Sequence, residues 1–442
     1  MTWSLVELEA CFEGVIPSII ATADADGLPN ISYLSHVAIV DDQHVALSNQ
    51  FFAKTAANIR LNPQATLLVV DGHNGTQFRL DLRFAYSMES GALFDSLALQ
   101  VEASSAQAGM GDVMRLRHVD VFRVLDIVDT PSPTGTPLAR KPERNRLDVT
   151  RRIVDMVAAQ SDADGVVDAT LNGIRDGLGF HHGLFLHCYP DKGQVVAIGS
   201  TGYAASGIGA EVPLGEGLIG AAAENGKVVK ISDMSRIRRF GSAIRATTPD
   251  ENRTRSIPLP GMADAMSQIA VPLLVQDTVE GVLFFESARR LAFGRDDEAA
   301  LAIIARQAAA SLALCERLSV EDEAPLPHSA DPPAGETLID VVHHGFDDSV
   351  FVNGDYVIKG VAGRLLVFMM EQCLANGRRE FSNREIRLDG TLKLPDLKDN
   401  LETRLLLLRR RLEEKDLPVR LVRLGRGKIG LEIDGNLRLT RH

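Results

Sequence analysis

The chain has few cysteines, and no sequence pattern brings them together. Its 442 residues contain four cysteines with no Cys-x-x-Cys pair. Because the cysteines are widely separated, neither a disulfide framework nor a cysteine zinc site is expected, and a reducing cytoplasm fits best. The four are Cys11, Cys188, Cys315 and Cys373.

Long hydrophobic runs are also lacking. The opening MTWSLVELEACFEG does not show the basic and then apolar order of a signal peptide. The most apolar later stretch, LAIIARQAAASLALC, is interrupted by Arg306 and Gln307. We therefore expect a soluble protein that makes no contact with a membrane.

Familiar catalytic motifs are absent as well. The sequence has no HExxH, GxSxG, P-loop or kinase motif, and no carboxylates paired at a helical spacing that demands catalysis. We expect the chemistry of this chain to be binding rather than turnover.

Charge is unevenly distributed along the chain. The net charge is −12, yet residues 340–442 carry 19 Lys and Arg against 16 Asp and Glu, compared with 28 against 43 elsewhere. A weakly basic terminal module on an acidic body is compatible with nucleic-acid contact, and a mixed solvated surface gives the same count.

The length predicts two to four domains. Proline and charged residues replace apolar periodicity in segments 129–146 and 320–337, which we interpret as linkers. They divide the chain into domains at 1–128, 147–319 and 338–442.

The first domain consists of short β-branched runs separated by turn signals, which predicts a barrel or sandwich. One short helix, Lys54 to Arg60, interrupts the strands and is followed by Asn62-Pro63. Lys54 supplies a positive charge, Thr55 a hydroxyl, and the first helical turn unpaired N–H groups. This combination predicts a phosphate-binding site.

The phrases ATADADGLPNISYLS, ALSNQFFAKTAANIRLNPQATLLVV and QFRLDLRFAYSMESG resemble the pyridoxamine 5′-phosphate oxidase-like, FMN-binding split-barrel family. The resemblance implies an FMN site at a homodimer interface, with the phosphate held at Lys54 and Thr55 and Arg79 as a second cation. Pyridoxamine phosphate turnover is not expected, because the chain has ISYLS where the oxidases carry a basic strand. Residues implied to line the ring and ribityl chain are Ser32, Tyr33, Ser35, Ser48, Asn49 and Gln50.

Histidines leave haem as an alternative cofactor for this domain. None of them forms a close pair with ligand spacing, and a lone histidine is more often a surface or core residue. The four are His36, His44, His73 and His118.

The middle domain begins and ends with amphipathic helices around several strands, which predicts an antiparallel sheet flanked by helices. The phrases VPLGEGLIGAAAENGKVVKISDMSRIRRF and QIAVPLLVQDTVEGVLFFESARRLAFGRDDEAALAIIARQAAASLAL resemble the GAF domain family. The resemblance implies an α/β sandwich that binds a small-molecule effector or mediates dimerisation. The Gly215, Gly217 and Gly220 pattern lacks a surrounding Rossmann unit, so we interpret it as a tight helix entry. The Arg-rich segment 234–266 could receive an anionic ligand or act as a solvated lid.

The last domain shows a hairpin signal at Asn353-Gly354, a helix stop at Asn376-Gly377 and a capping box from Ser382 to Glu385. A longer helix, LKDNLETRLLLLRRRLEEK, and a final pair of strands follow.

This order resembles the OmpR/PhoB-type winged-helix DNA-binding domain over about residues 345 to 435. Leu406 and Leu407 occupy positions that are polar in that family, and a solvent-facing leucine pair would invite docking of a protein instead. The resemblance implies DNA contacts from the recognition helix and the wing. The implied contacts are Arg404, Arg409, Arg410 and Arg411 on the helix, and Arg423, Arg426 and Lys428 at the wing.

Together these patterns predict a multidomain α+β protein with a split β-barrel, a GAF sandwich and a winged helix. The predicted function is a one-component transcriptional regulator, a homodimer that senses a small molecule or redox state and binds DNA. An FMN-dependent oxidoreductase with regulatory GAF and winged-helix domains is the alternative, and a structural or interaction protein is a third possibility. Neither the effector nor the operator can be inferred from the sequence.

Overall fold

A computed structural model describes residues 3–34, 36–49, 53–107, 116–130, 146–235, 255–319, 337–392, 394 and 400–442. Most of each predicted linker lies outside these ranges. The described residues form three units, in the order in which the sequence predicts them.

The first unit is built on a seven-stranded antiparallel sheet with the order β2-β1-β5-β6-β7-β4-β3. Short β-branched runs with alternating burial explain these strands, since one face of each packs into the core. A helix after β6 was not predicted. The elements are β1 Ser18–Ala23, β2 Pro29–Leu34, β3 Val37–Asp41, β4 His44–Asn49, α1 Ala53–Leu61, β5 Gln64–Val70, β6 Gln77–Met88, α2 Ala92–Gln107 and β7 His118–Thr130.

The second unit has a six-stranded antiparallel sheet with the order β10-β9-β8-β13-β12-β11. Apolar clusters lie on both faces, so the sheet is sandwiched between helices as predicted. The elements are α3 Arg146–Ala158, α4 Ala163–Gly173, β8 His182–Tyr189, β9 Gln194–Thr201, β10 Glu211–Pro213, α5 Gly217–Asn225, β11 Val229–Ile231, β12 Ser267–Val275, β13 Thr278–Ser287 and α6 Arg295–Leu318.

Gly220, in the first turn of α5, has a packing role. Helix α5 begins at Gly217, and a Cβ atom added at Gly220 would lie 2.2 Å from the carbonyl oxygen of Pro213. Only glycine lets the helix approach the preceding strand so closely.

Helix α6 is long and apolar enough to cross a bilayer by length and composition. Half of its most apolar window is buried inside the protein, where the helix packs against α3, α4 and β12. It is therefore a core helix.

The third unit places three helices between a four-stranded and a three-stranded sheet, with the orders β16-β15-β14-β20 and β17-β19-β18. The last strand, β20, runs parallel to β14 and joins the two ends of the unit. The elements are β14 Leu338–His344, β15 Ser349–Val352, β16 Asp355–Ile358, α7 Val361–Asn376, β17 Glu380–Ser382, α8 Asn383–Leu388, α9 Leu401–Glu414, β18 Val419–Gly425, β19 Lys428–Ile433 and β20 Asn436–Arg441.

The hairpin turn, the helix stop and the capping box that the sequence predicts in this unit are confirmed. Asn353 and Gly354 both take positive φ in the β15–β16 turn, and Gly377 ends α7 with φ 68°. The Ser382 hydroxyl accepts a hydrogen bond from the Glu385 N–H, and the Glu385 carboxylate accepts one from the Ser382 N–H, which completes the capping box.

The three units pack against one another. Glu13 of the first unit pairs with Lys230 of the second at 2.8 Å, and Glu9 pairs with Arg295 at 3.0 Å. One apolar cluster runs without a break from the second unit into the third. The third unit is thus docked on the second by a hydrophobic contact.

Candidate functional site

Helix α1 of the first unit is fixed to the sheet by hydroxyl and amide contacts. The Thr55 hydroxyl lies 3.0 Å from the Ser32 hydroxyl and accepts a hydrogen bond from the Asn30 side chain at 3.0 Å. Asn58 donates to the Thr22 hydroxyl at 3.2 Å. Thr55 is only 5% exposed, so its hydroxyl anchors the helix to β2.

The two predicted phosphate-binding cations differ in their surroundings. Lys54 is exposed at the start of α1 and forms no ion pair with any residue that the structure describes. Arg79 lies on β6, opposite Leu68, and pairs with Asp81 at 3.3 Å. No described contact joins Arg79 to α1. The structure thus brings Ser32 and Thr55 together and leaves Arg79 apart from them.

The other predicted flavin contacts are described only in part. The Ser48 hydroxyl donates to the His36 carbonyl oxygen at 3.1 Å and accepts from the His36 N–H. Both of these hydrogen bonds therefore go to the backbone of the barrel. Tyr33 is 68% exposed on β2. Ser35, Gln50 and the side chain of Asn49 lie outside the described residues.

The histidines considered for haem are scattered. His44 contacts Asp41 at 2.9 Å, His118 lies 3.6 Å from Asp120, and His73 is exposed. Burial lowers the pKa of His36 to about 4, so this imidazole is neutral at physiological pH. Within the described ranges, no three His, Cys, Asp or Glu side chains form a group that could hold a metal ion.

In the third unit, Arg409 and Arg410 of α9 face the second unit. Helix α9 packs against α4, β9 and α6. Arg410 donates to Asp164 at 3.2 Å, to Asp168 at 2.7 Å and to the Ile198 carbonyl oxygen at 3.1 Å. Arg409 also pairs with Asp164. Two predicted DNA contacts are therefore neutralised by acidic side chains of α4.

Asp164 lies between these two guanidinium groups. Burial raises the pKa of its carboxyl, and the positive charges of Arg409 and Arg410 oppose that rise. The ion pairs with the two arginines therefore offset part of the cost of burying this carboxylate.

The wing residues take part in the same contact. Arg423 of β18 pairs with Asp162, the N-cap residue of α4, at 3.1 Å. Arg409, Arg423 and Lys428 line one small cleft together with Asp164. Arg426 is half-buried in the β18–β19 turn.

The remaining two arginines of α9 are buried. Arg411 is 1% exposed and donates to the Val357 carbonyl oxygen at 3.0 Å and to Glu414 at 2.8 Å. Arg404 is 5% exposed, with its guanidinium carbon 5.2 Å from the centre of the Tyr189 ring. In this arrangement neither side chain can reach a ligand outside the protein.

The expectation that Leu406 and Leu407 face solvent is wrong. They are 3% and 6% exposed and belong to the apolar cluster shared by the second and third units. The pair does mark a docking surface, and the second unit of the same chain covers it.

Sequence reasoning did not identify the residues of the second unit that contact the third unit near α9. Glu316 at the end of α6 accepts from the Glu402 N–H at 3.0 Å and pairs with Arg387. Another missed group is the buried Glu286 on β13, which accepts from the Tyr203 hydroxyl and the Met262 N–H, both at 2.9 Å. Since all these partners are distant in sequence, no local pattern indicated them.

The segment 234–266 is described only at its ends. Arg255 pairs with Asp347 of the third unit at 3.2 Å and lies 4.8 Å from the centre of the Phe346 ring. The other arginines of this segment lie outside the described residues.

Comparisons with known proteins support the predicted families of the first two units. Residues 6–124 match the family model described as pyridoxamine 5′-phosphate oxidase, and residues 160–313 match the GAF domain. A domain of the pyridoxamine 5′-phosphate oxidase type followed by a GAF domain indicates a sensor or regulatory role. No curated protein matches the chain.

Solved structures similar to parts of the chain include an FMN-binding protein from Syntrophomonas wolfei subsp. wolfei, at 16% identity over 29% of this chain and 87% of that one, with a TM-score of 0.25. The GAF domain of an Acinetobacter phosphoenolpyruvate-protein phosphotransferase is 21% identical over 40% of this chain and 98% of its own, with a TM-score of 0.33. Free methionine-R-sulfoxide reductase from Neisseria meningitidis is 19% identical over 42% of this chain and 99% of its own, with a TM-score of 0.32.

Proposed function

We propose that the chain is a cytoplasmic one-component transcriptional regulator. The split barrel and GAF domain sense a small molecule or a redox state, and the third unit binds DNA as a winged helix. The order of its elements supports this assignment: a hairpin sheet, three helices and then the β18–β19 hairpin, with Arg426 at its turn.

The observation that carries the proposal is the docking of α9 on the GAF domain. Arg409 and Arg410 pair with Asp164, and Arg423 pairs with Asp162, so three of the proposed DNA contacts bind the sensor instead. A helix that pairs with acidic side chains cannot at the same time pair with phosphates. The arrangement therefore corresponds to a closed state, and DNA binding requires α9 to leave the GAF domain.

The proposed cofactor is FMN, bound between two copies of the barrel. The residues present fit its phosphate end, because the exposed Lys54 lies at a helix start next to the hydroxyl pair of Thr55 and Ser32. Ile31 and Tyr33, each 68% exposed on β2, offer an apolar face to the second copy. Bound flavin would supply a redox-active ring whose oxidation state can be sensed.

DNA binding can be measured by fluorescence anisotropy with the DNA upstream of the chain's own gene, at two salt concentrations. We expect a specific complex whose affinity falls steeply with salt, because phosphate contacts release counterions. Arg426→Ala should weaken the complex and reduce its salt dependence. Arg409→Ala should do the same when it is added to Asp164→Asn, where the ion pair between Arg409 and the GAF domain is already lost. An affinity that neither substitution changes would contradict the assignment of these contacts.

The FMN-dependent oxidoreductase remains the second candidate, because the barrel matches a family of flavin oxidases. It predicts a yellow protein that oxidises NAD(P)H steadily. A yellow protein that binds DNA and shows no such turnover supports the regulator instead.

A further inference from the structure

A cavity of about 180 Å³ lies between the GAF domain and the third unit. Tyr189 and Val196 line it from the GAF sheet, and Tyr356, Arg404 and Leu407 line it from the third unit. Its walls therefore depend on the docking of the two units.

The charged groups around the cavity are mostly cationic. Lys192, Lys359, Arg364 and Arg404 line it, against Asp191 and Glu211. Glu211 is already paired with Lys359 at 2.7 Å, and Arg364 pairs with Asp348 at 2.7 Å. Lys192 is exposed at the rim of the cavity. Partial burial lowers the pKa of its ammonium group; the nearby carboxylate of Glu211 opposes this shift, and the positive charge of Arg404 adds to it. The lining thus presents more basic than acidic side chains to a ligand.

Tyr189 lines the cavity and carries a buried hydroxyl. The residue is 8% exposed, and its buried hydroxyl has no hydrogen-bond partner among the residues that the structure describes. Burial raises the pKa of this phenol to about 12, although Arg404 opposes the rise, so the hydroxyl keeps its proton at neutral pH. A buried donor of this kind needs an acceptor, and a ligand oxygen can provide one.

The size and the walls of the cavity limit the ligand. An apolar cavity of about 150 Å³ holds benzene, so the volume here suffices for one six-membered ring with a small acidic group. Val196, Ile257 and Leu407 give the cavity an apolar side that suits such a ring.

We propose that this cavity is a binding site for a small carboxylate with a ring-sized apolar body. The carboxylate is received by the Tyr189 hydroxyl together with the charges of Arg404 and Lys192, and the ring packs on Val196 and Ile257.

Because both units contribute to the walls, a bound ligand stabilises the docked arrangement. The proposed binding site does not depend on the proposed function. Its consequence, weaker DNA binding in the presence of the ligand, rests on the proposed function.

Isothermal titration calorimetry of the full chain tests the site with benzoate and cyclohexanecarboxylate, and with benzamide as the uncharged match. We expect one carboxylate per chain and binding of benzamide at least about tenfold weaker, since a charged acceptor forms the stronger hydrogen bonds. Tyr189→Phe, which removes only the hydroxyl, should raise the Kd for benzoate about tenfold or more. Ala362→Phe, at a 5% exposed lining position, should fill the cavity and abolish binding.

The matched control is Tyr203→Phe, because this partly buried hydroxyl bonds to Glu286 outside the cavity and its loss should leave the Kd unchanged. Any one of three results would contradict the proposed site. They are no heat with either carboxylate at millimolar concentration, equal binding of benzamide, and an unchanged Kd for benzoate in Tyr189→Phe. Titration without DNA keeps this result separate from the proposed function, which fails only if the chain free of ligand does not bind DNA.

Discussion

Removing the charge of Asp164 should release α9 and strengthen DNA binding. Asp164→Asn keeps the shape of the side chain but loses the ion pairs with Arg409 and Arg410, while Arg410 keeps Asp168 at 2.7 Å. The side chains of Asp164 and Arg410 are 19% and 14% exposed. Breaking a fully buried pair costs about 3–5 kcal/mol and an exposed pair contributes at most about 1 kcal/mol, so this partly buried contact should contribute about 2 kcal/mol.

A loss of about 2 kcal/mol shifts the equilibrium between docked and released α9 roughly 30-fold. If the docked form dominates in the wild type, the apparent Kd for upstream DNA should fall by up to that factor. Fluorescence anisotropy with labelled DNA measures the change, with wild type and variant at the same salt concentration.

Asp176→Asn is the matched control. Asp176 pairs with Arg175 within the GAF domain at 2.8 Å, and its side chain is 68% exposed, so removing its charge should not affect α9. The reasoning is refuted if Asp164→Asn binds DNA no more tightly than Asp176→Asn.

Three further predictions concern the barrel and the GAF domain. Lys54→Met should raise the Kd for FMN about tenfold or more in a flavin fluorescence titration, while Arg60→Met at the other end of α1 should not; equal effects would remove Lys54 from the phosphate site. The folded pKa of His36, about 4, lies below its unfolded value of 6.5, so the unfolded state takes up the proton first and stability is lost as the pH falls through that window. Urea unfolding at pH 7 and pH 5 should show about 2 kcal/mol more loss in wild type than in His36→Gln, and equal losses would contradict it. Gly220→Ala should destabilise the GAF domain by about 1–3 kcal/mol because its Cβ meets the Pro213 carbonyl, whereas Gly390→Ala has open space; equal melting temperatures would contradict this.

Local features of this protein could be predicted from sequence because their causes are local. Gly377 ends α7 since glycine takes the left-handed conformation without strain, and the hydroxyl of Ser382 reaches an N–H three residues ahead. Most strands of the first two units followed from the same kind of short-range signal, but helix α2 did not.

The arrangement of the units could not be predicted because its contacts are distant in sequence. Asp164 and Arg410 are 246 residues apart, and nothing near either one indicates the other. The leucine pair on α9 did indicate docking, since two apolar side chains at polar positions need cover. Only the structure shows that the cover is the GAF domain and that Tyr189 and Arg404 meet across it.

Zero-length crosslinking tests most directly whether DNA and the GAF domain compete for the third unit. Glu211 of β10 and Lys359, which follows β16, lie 2.7 Å apart and are each about 30% exposed, so a carbodiimide can join them across the docked surface. The account predicts a Glu211–Lys359 crosslinked peptide in the free full-length chain, and a marked decrease in its yield when saturating upstream DNA is added before the reagent. A yield that stays constant while the DNA is demonstrably bound would contradict it.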